Sequence, residues 1–240
     1  MVTGPDKRFM TQAEAQAAEI DVGLRQYMLQ VYNYMASGVA LTGIVAYLVA
    51  SSPALTGALF GNPIMPWIVM LAPIGLALYF GARIHAMSFA TSQIIFWIFA
   101  GLMGLSLATV FLVYTGESIA RVFFITAGTF GAMSLYGYTT KTDLTKFGSF
   151  LMMGLIGIII ASVVNIFVGS TALQFAISVI GVLVFVGLTA YDTQKIKETY
   201  WADDDSETHG KKAVMGALNL YLDFINLFVM LLQLFGSRRD

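Results

Sequence analysis

The chain contains no cysteine. That absence removes disulfides, thiolate nucleophiles and thiolate metal sites together. Charge is scarce: 11% of the 240 residues are Asp, Glu, Lys or Arg, against about 25% in globular domains. The formal net charge is −1, so no basic surface recruits nucleic acid. Histidine is limited to His85 and His209, both in polar connecting stretches, which disfavours a Ser/His membrane protease. No long polar linker divides the chain, so a single membrane domain is expected. The first 27 residues lack the apolar stretch of a cleavable signal. They hold Asp6, Glu14, Glu19 and Asp21, acids that a mitochondrial transit peptide avoids. The first membrane helix is therefore expected to act as the targeting signal.

What the chain does have is apolar length. Hydrophobic residues make up 58% of it. They gather in seven runs, at about 28–50, 66–82, 93–114, 122–138, 149–168, 172–190 and 213–235. Each approaches the ~20 residues that a spanning helix needs. The runs are continuous rather than alternating, which excludes a β-barrel. The reading is an all-α integral membrane protein, a bundle of seven transmembrane helices. Residues 1–27 form a polar tail, 28–236 the membrane domain and 237–240 a short C-terminal tail. Pro66 suits a helix start and Pro73 should kink the second helix. Many of the 23 glycines, such as Gly128, Gly131, Gly148, Gly154 and Gly157, should let helix backbones approach closely.

Basic residues set the expected orientation. With the N-terminus in the cytoplasm, Arg25, Arg83, Lys141, Lys146, Lys195, Lys197, Lys211 and Lys212 lie inside, and Arg121, Arg238 and Arg239 outside. The terminal pair is an exception that a re-entrant last helix would remove. A full span is the preferred reading.

Two acids break the apolar pattern. Asp223 lies in the run AVMGALNLYLDFINLFVMLLQLF, about 15 Å along a helix starting at Ala213. That is near the middle of a hydrocarbon core of roughly 30 Å. An ionisable group there costs about 2.5–3.5 kcal/mol on insertion scales, so it must face a partner, a cavity or a proton. Asn219, Asp223, Asn226, Met230 and Gln233 form one helical stripe, which in lipid must face the bundle interior. The amides of Asn219, Asn226 and Gln233 read as a packing seam. An ionisable Asp223 exceeds what packing requires.

Asp192 closes the preceding run, in GLTAYDTQKIK. Its plain reading is a helix-end carboxylate paired with Lys195. With straight helices, about 5–10 Å of depth separates it from Asp223. If the two meet, both cannot ionise cheaply, and they titrate as a unit. A shared proton would hold two helices together. Its loss leaves repelling anions, or oxygen ligands for a hard cation such as Ca²⁺. Arg83 is a candidate counter-charge and equally a topology marker.

LYLDFINLF at 220–228 and AYDTQKIK at 190–197 resemble the two most telling motifs of the Bax inhibitor-1 (transmembrane Bax inhibitor motif) family. YGYTTKTDLTKFG at 136–148 resembles its fourth-to-fifth helix connection. The resemblance spans all seven helices and looks bacterial, which implies the inner (cytoplasmic) membrane. It implies six helices around a central seventh and a pH-sensitive Ca²⁺ leak. It implies Asp192 and Asp223 as the proton-sharing pair, and Arg83 as a latch to it. Some members carry an acid further up the second helix; LAPIGLALYF at 71–80 has none.

The leading expectation is a pH-gated cation leak channel with no resident cofactor. Its partners are the lipid bilayer, protons and Ca²⁺, the last as transported ion or as ligand of Asp192 and Asp223. The rival is a regulatory protein that restrains a membrane quality-control protease. Enzyme activity is not expected: an intramembrane aspartyl protease needs GxGD around its second acid, and LYLD here is bulky. The acidic stretch 203–207, DDDSE, reads as a solvated loop, lacking the Gly and terminal Glu of an EF-hand. His209 reads as a solvated loop residue.

Overall fold

Apolar runs of this length become helices because lipid offers no partner to a backbone N–H or C=O. In the computed structural model, which describes residues 12–239 and side chains from Val22 onward, eight helices follow one another. They are α1 Gln12–Ala50, α2 Pro53–Phe60, α3 Met65–Arg83, α4 Phe89–Val113, α5 Gly116–Thr139, α6 Thr145–Val168, α7 Thr171–Thr199 and α8 Ser206–Phe235. All but α2 are long and apolar enough to cross a membrane. Side-chain caps mark their starts. Ser88, Thr115, Ser170 and Asp205 each accept the N–H of the residue three positions on, satisfying a donor that the helix leaves open. Gly169, at φ 63°, ends α6 in the left-handed conformation favoured by glycine.

The sequence boundaries need three corrections. The expected tail 1–27 is helical from Gln12; its first 11 residues lie outside the described ones. The expected loop 51–65 contains α2, capped by Ser52 and with no buried side chain, too short to show periodicity. Asp192 does not end its helix, because α7 continues to Thr199.

Helix α8 is the axis of the bundle, packed against α1, α4, α5 and α7. One core, containing Val31, Phe80, Phe96, Phe99, Val214 and Tyr221, joins α1, α3 and α4 to it. A second, containing Val122, Leu151, Leu188, Leu227 and Leu231, joins it to α5, α6 and α7. The outer helices α3 and α6 rest chiefly on α4 and α7 respectively.

The last helix is continuous and long enough to span fully. Gly210 near its start lies against Phe89, the first residue of α4. Beyond its end the Arg239 N–H donates to the carbonyl of Val113, the last residue of α4, at 2.9 Å. So α4 and α8 run parallel, and the C-terminal residues dock at the end opposite the α7–α8 connection. At about 45 Å, the 30 residues of α8 exceed the hydrocarbon thickness. A re-entrant hairpin is ruled out.

Glycine packs helices closely at fewer places than expected. A Cβ on Gly137 would strike the Ala190 backbone, and one on Gly104 would come within 2.8 Å of the Thr42 carbonyl. Gly148 and Gly154 meet Tyr191 and Val184. Gly128, Gly131 and Gly157 face open space.

Candidate functional site: a carboxyl pair between α7 and α8

Helices α7 and α8 are antiparallel neighbours joined by a short connection. Ile196 packs on Gly216 near one end and Met230 on Gly181 near the other. This register sets Asp192 level with Leu220, so Asp223 stands three residues, about 4.5 Å, further along. Cβ bonds tilt toward a helix's N-terminus. In an antiparallel pair the two carboxyls therefore lean toward each other, which closes the depth gap. Asp192 and Asp223 both open on one groove between α6, α7 and α8. Two carboxylates offer only acceptors, so a hydrogen bond between them would require a proton.

Asp223 is 4% exposed, and its Oδ2 finds no donor among the described residues. The buried hydroxyls of α7 that flank Asp192 in sequence are engaged elsewhere: Thr189 donates to the Phe185 carbonyl at 2.8 Å and Thr193 to that of Thr189 at 2.7 Å. Asp192 is half-buried and makes no salt bridge with Lys195. Its helix-end pairing is thus corrected; the carboxyl turns inward.

Both acids line a groove of about 640 Å³ between α6, α7 and α8, together with Asn219, Asn226 and Met230. The facing wall is apolar, with Leu155, Ile158 and Ile159 of α6. Asn226 donates its Nδ2 to the Leu222 carbonyl at 2.9 Å, leaving its oxygen for the groove. Gln233 leaves the stripe for a clasp. It accepts from Gln174 at 2.7 Å and Ser178 at 2.8 Å, and Gln174 accepts from Asn165 at 3.1 Å.

Arg83 is not brought to the pair. It is exposed at the end of α3 and makes no salt bridge among the described residues. The acidic stretch is consumed structurally: Asp204 pairs with Lys212 at 2.5 Å, Glu207 with Lys211 at 3.7 Å, and Asp205 caps α8. His209 is no solvated loop residue; it lies in α8 with ring centroids 5.0 Å from Tyr27 and 5.8 Å from Tyr200.

The sequence reading missed Tyr221. It is fully buried, with its hydroxyl 2.6 Å from Thr42, whose own hydroxyl donates to the Ala100 carbonyl at 2.8 Å. Its ring packs edge-on against Phe96 and Phe99. The sequence signal was a tyrosine inside LYLDF, on the face opposite the amides. Also missed was a chain from Tyr32 to Ser134 at 2.5 Å and on to Thr193 at 2.9 Å, linking α1, α5 and α7.

Six apolar helices with a seventh as their axis, the axis carrying a buried acid that shares a groove with an acid of its neighbour, define a polytopic membrane protein. Over residues 24–240 the chain matches the family described as Inhibitor of apoptosis-promoting Bax1, and it belongs to this Bax inhibitor-1 family. It is 53% identical over 220 residues to RP147 of Rickettsia prowazekii, covering 92% of this chain and 93% of that one. It is 49% identical over 219 residues to Inner membrane protein YbhL of Escherichia coli K12, covering 90% and 94%. A Caulobacter vibrioides protein is 47% identical over 242 residues, covering 95% of each.

Proposed function

We propose that the chain is a cation leak protein of the bacterial inner membrane, passing Ca²⁺ under control of the Asp192–Asp223 proton. The observation that carries this reading is a buried carboxyl oxygen with no donor among the described residues, in a groove shared with a second carboxyl. With a shared proton the pair ties α7 to α8. Without it the anions repel, and the seam loosens while its oxygens become ligands. The name of the YbhL relative supports the membrane. The basic residues at the α7–α8 connection support a cytoplasmic location for that end and for the N-terminus.

The ligand set suits passage rather than storage. No group of three acid, His or Cys side chains able to hold a metal occurs among the described residues. Two carboxylates with the amides of Asn219 and Asn226 fall short of the rigid six-to-eight oxygen shell of a tight Ca²⁺ site. A conducted ion must be able to leave.

The test is Ca²⁺ entry into proteoliposomes holding only this protein, from about pH 5 to about pH 8, beside Asp223→Asn. The expected result is a pH-dependent flux whose dependence flattens in the variant. Flux no greater than that of empty liposomes, with the protein folded, refutes the leak.

A further inference from the structure

A second cavity, of about 480 Å³, lies between the end of α3, the last turns of α7 and the first turns of α8. Its walls carry Lys195, Lys211, Lys212 and His85, and no Asp or Glu. Apolar side chains, among them Ile84, Ile196 and Met215, form the rest of the lining. We propose that this cavity binds a phosphate group.

Charge is the first argument. Of the three lysines, two have carboxylate partners that do not line the cavity: Glu207 stands 3.7 Å from Lys211, and Asp204 stands 2.5 Å from Lys212. Lys212 also donates to the Thr199 carbonyl at 3.0 Å, which fixes it. Lys195 makes no salt bridge among the described residues. Two acids stand three residues from it along the chain: Asp192 opens on the groove of the pair, and Glu198 makes no salt bridge among the described residues. Cations gathered on one recess repel one another, and an anion held among them relieves that repulsion.

Chemistry is the second. Ammonium groups act as point charges toward phosphate oxygens, in bonds stronger than neutral ones. A carboxylate would be served by fewer donors. The apolar lining beside the charges accommodates the organic part of a phosphate ester. The cavity lies where the spanning helices α3, α7 and α8 end or begin, so both a lipid headgroup and a free phosphate can reach it. The shared chemistry is the phosphate.

Asn219 lines both this cavity and the groove of the carboxyl pair. A bound phosphate would therefore neutralise a cationic wall on the approach to the pair. That consequence rests on the leak reading, whereas the binding itself does not.

The test uses purified protein in an uncharged detergent at neutral pH and fixed ionic strength. The probes are inorganic phosphate, dioctanoyl phosphatidic acid and, without the phosphate, dioctanoylglycerol. The expected result is saturable calorimetric binding of phosphatidic acid that weakens about tenfold in Lys195→Gln and in Lys211→Gln, and is unchanged in Lys146→Gln on α6. Inorganic phosphate binding with the same sensitivities assigns the site to free phosphate as well; its failure to bind assigns the site to a lipid headgroup. Two results overturn the proposal. One is that dioctanoylglycerol binds as tightly as phosphatidic acid, or that neither phosphate probe binds. The other is that the lysine variants bind like the wild type or lose no more than Lys146→Gln. Lys195 is exposed, so its variant should fold, and binding is compared only among variants with wild-type melting curves. None of these outcomes depends on ion flux.

Discussion

Tyr221 and Asp223 stand two residues apart on the same helix, both buried, and their surroundings are opposite. Tyr221 is enclosed by Phe96 and Phe99, and its hydroxyl belongs to a completed chain through Thr42 to the Ala100 carbonyl. Asp223 opens on a groove, and one of its oxygens has no donor among the described residues. An unpaired buried oxygen costs about 1–3 kcal/mol. One face of α8 is thus a finished contact that fixes the helix. The other is left incomplete at the one place where a proton can complete it. Polarity inside a bundle does not by itself mark function; polarity left unsatisfied does.

The contrast makes its largest prediction on the finished face. Tyr221→Ala empties a fully buried ring position and should lower stability by about 3–5 kcal/mol, measured by thermal or denaturant unfolding in detergent. Tyr221→Phe keeps the ring and removes one hydrogen bond. Since Thr42 still donates to Ala100, the loss should be only about 0.5–1.5 kcal/mol. A Tyr221→Phe loss as large as that of Tyr221→Ala would mean that the hydroxyl, not the packing, holds this face.

Next in size is the backbone contact behind the pair. Gly137 on α5 abuts the Ala190 backbone of α7, two residues before Asp192. Backbone cannot rotate away, so Gly137→Ala should cost about 1–3 kcal/mol by the same unfolding assay. Gly131→Ala, facing open space on the same helix, should cost nothing measurable. Equal effects at both positions would remove the argument for close approach there.

The incomplete face predicts the reverse sign. Asp223→Asn adds an N–H that can donate to Asp192, replacing the shared proton permanently. Its stability should match or exceed that of the wild type, by up to about 1 kcal/mol, while Tyr221→Phe falls below. Unfolding both variants side by side separates the faces: a clear loss in Asp223→Asn would place Asp223 with the structural polar groups.

The sequence was informative wherever lipid leaves few solutions. Continuous apolar runs must be helices, so all seven spans were legible. A mid-helix acid must have company, so Asp223 stood out without its partner being visible. The groove it shares with Asp192 was not legible, because that depends on how far α7 continues past that residue and on the opposed tilt of two antiparallel side chains. Both were hidden by treating the polar residues Thr193–Thr199 as the end of the helix. Tyr221 was overlooked because an aromatic residue in an apolar run reads as bulk; only Thr42, 179 residues away, gives its hydroxyl a purpose. The basic cavity is scattered over three helices, and its lysines read singly as markers of orientation. His209 is hidden for the same reason, since a polar segment reads as a loop whereas α8 begins at Ser206.

The smallest effect lies in the acidic stretch at the start of α8. Asp205 caps α8 by accepting from the Thr208 N–H at 2.7 Å. Hydrogen bonds from Thr208 hold its carboxyl below the usual carboxylate range. A group with a depressed folded pKa stabilises the fold above its unfolded value, about 3.9, and loses that contribution as pH falls through the lower folded value. Asp205→Asn keeps a capping oxygen, whereas Asp205→Ala does not. Melting temperatures at neutral pH should therefore rank wild type and Asp205→Asn above Asp205→Ala. Below about pH 4 the gap between wild type and Asp205→Ala should shrink as the cap protonates, while the gap between Asp205→Asn and Asp205→Ala persists. A wild-type advantage that stays constant through acid pH would show that the carboxylate charge contributes nothing to the cap. The cap would then act through its hydrogen bond irrespective of charge, as the neutral hydroxyl of Tyr221 does.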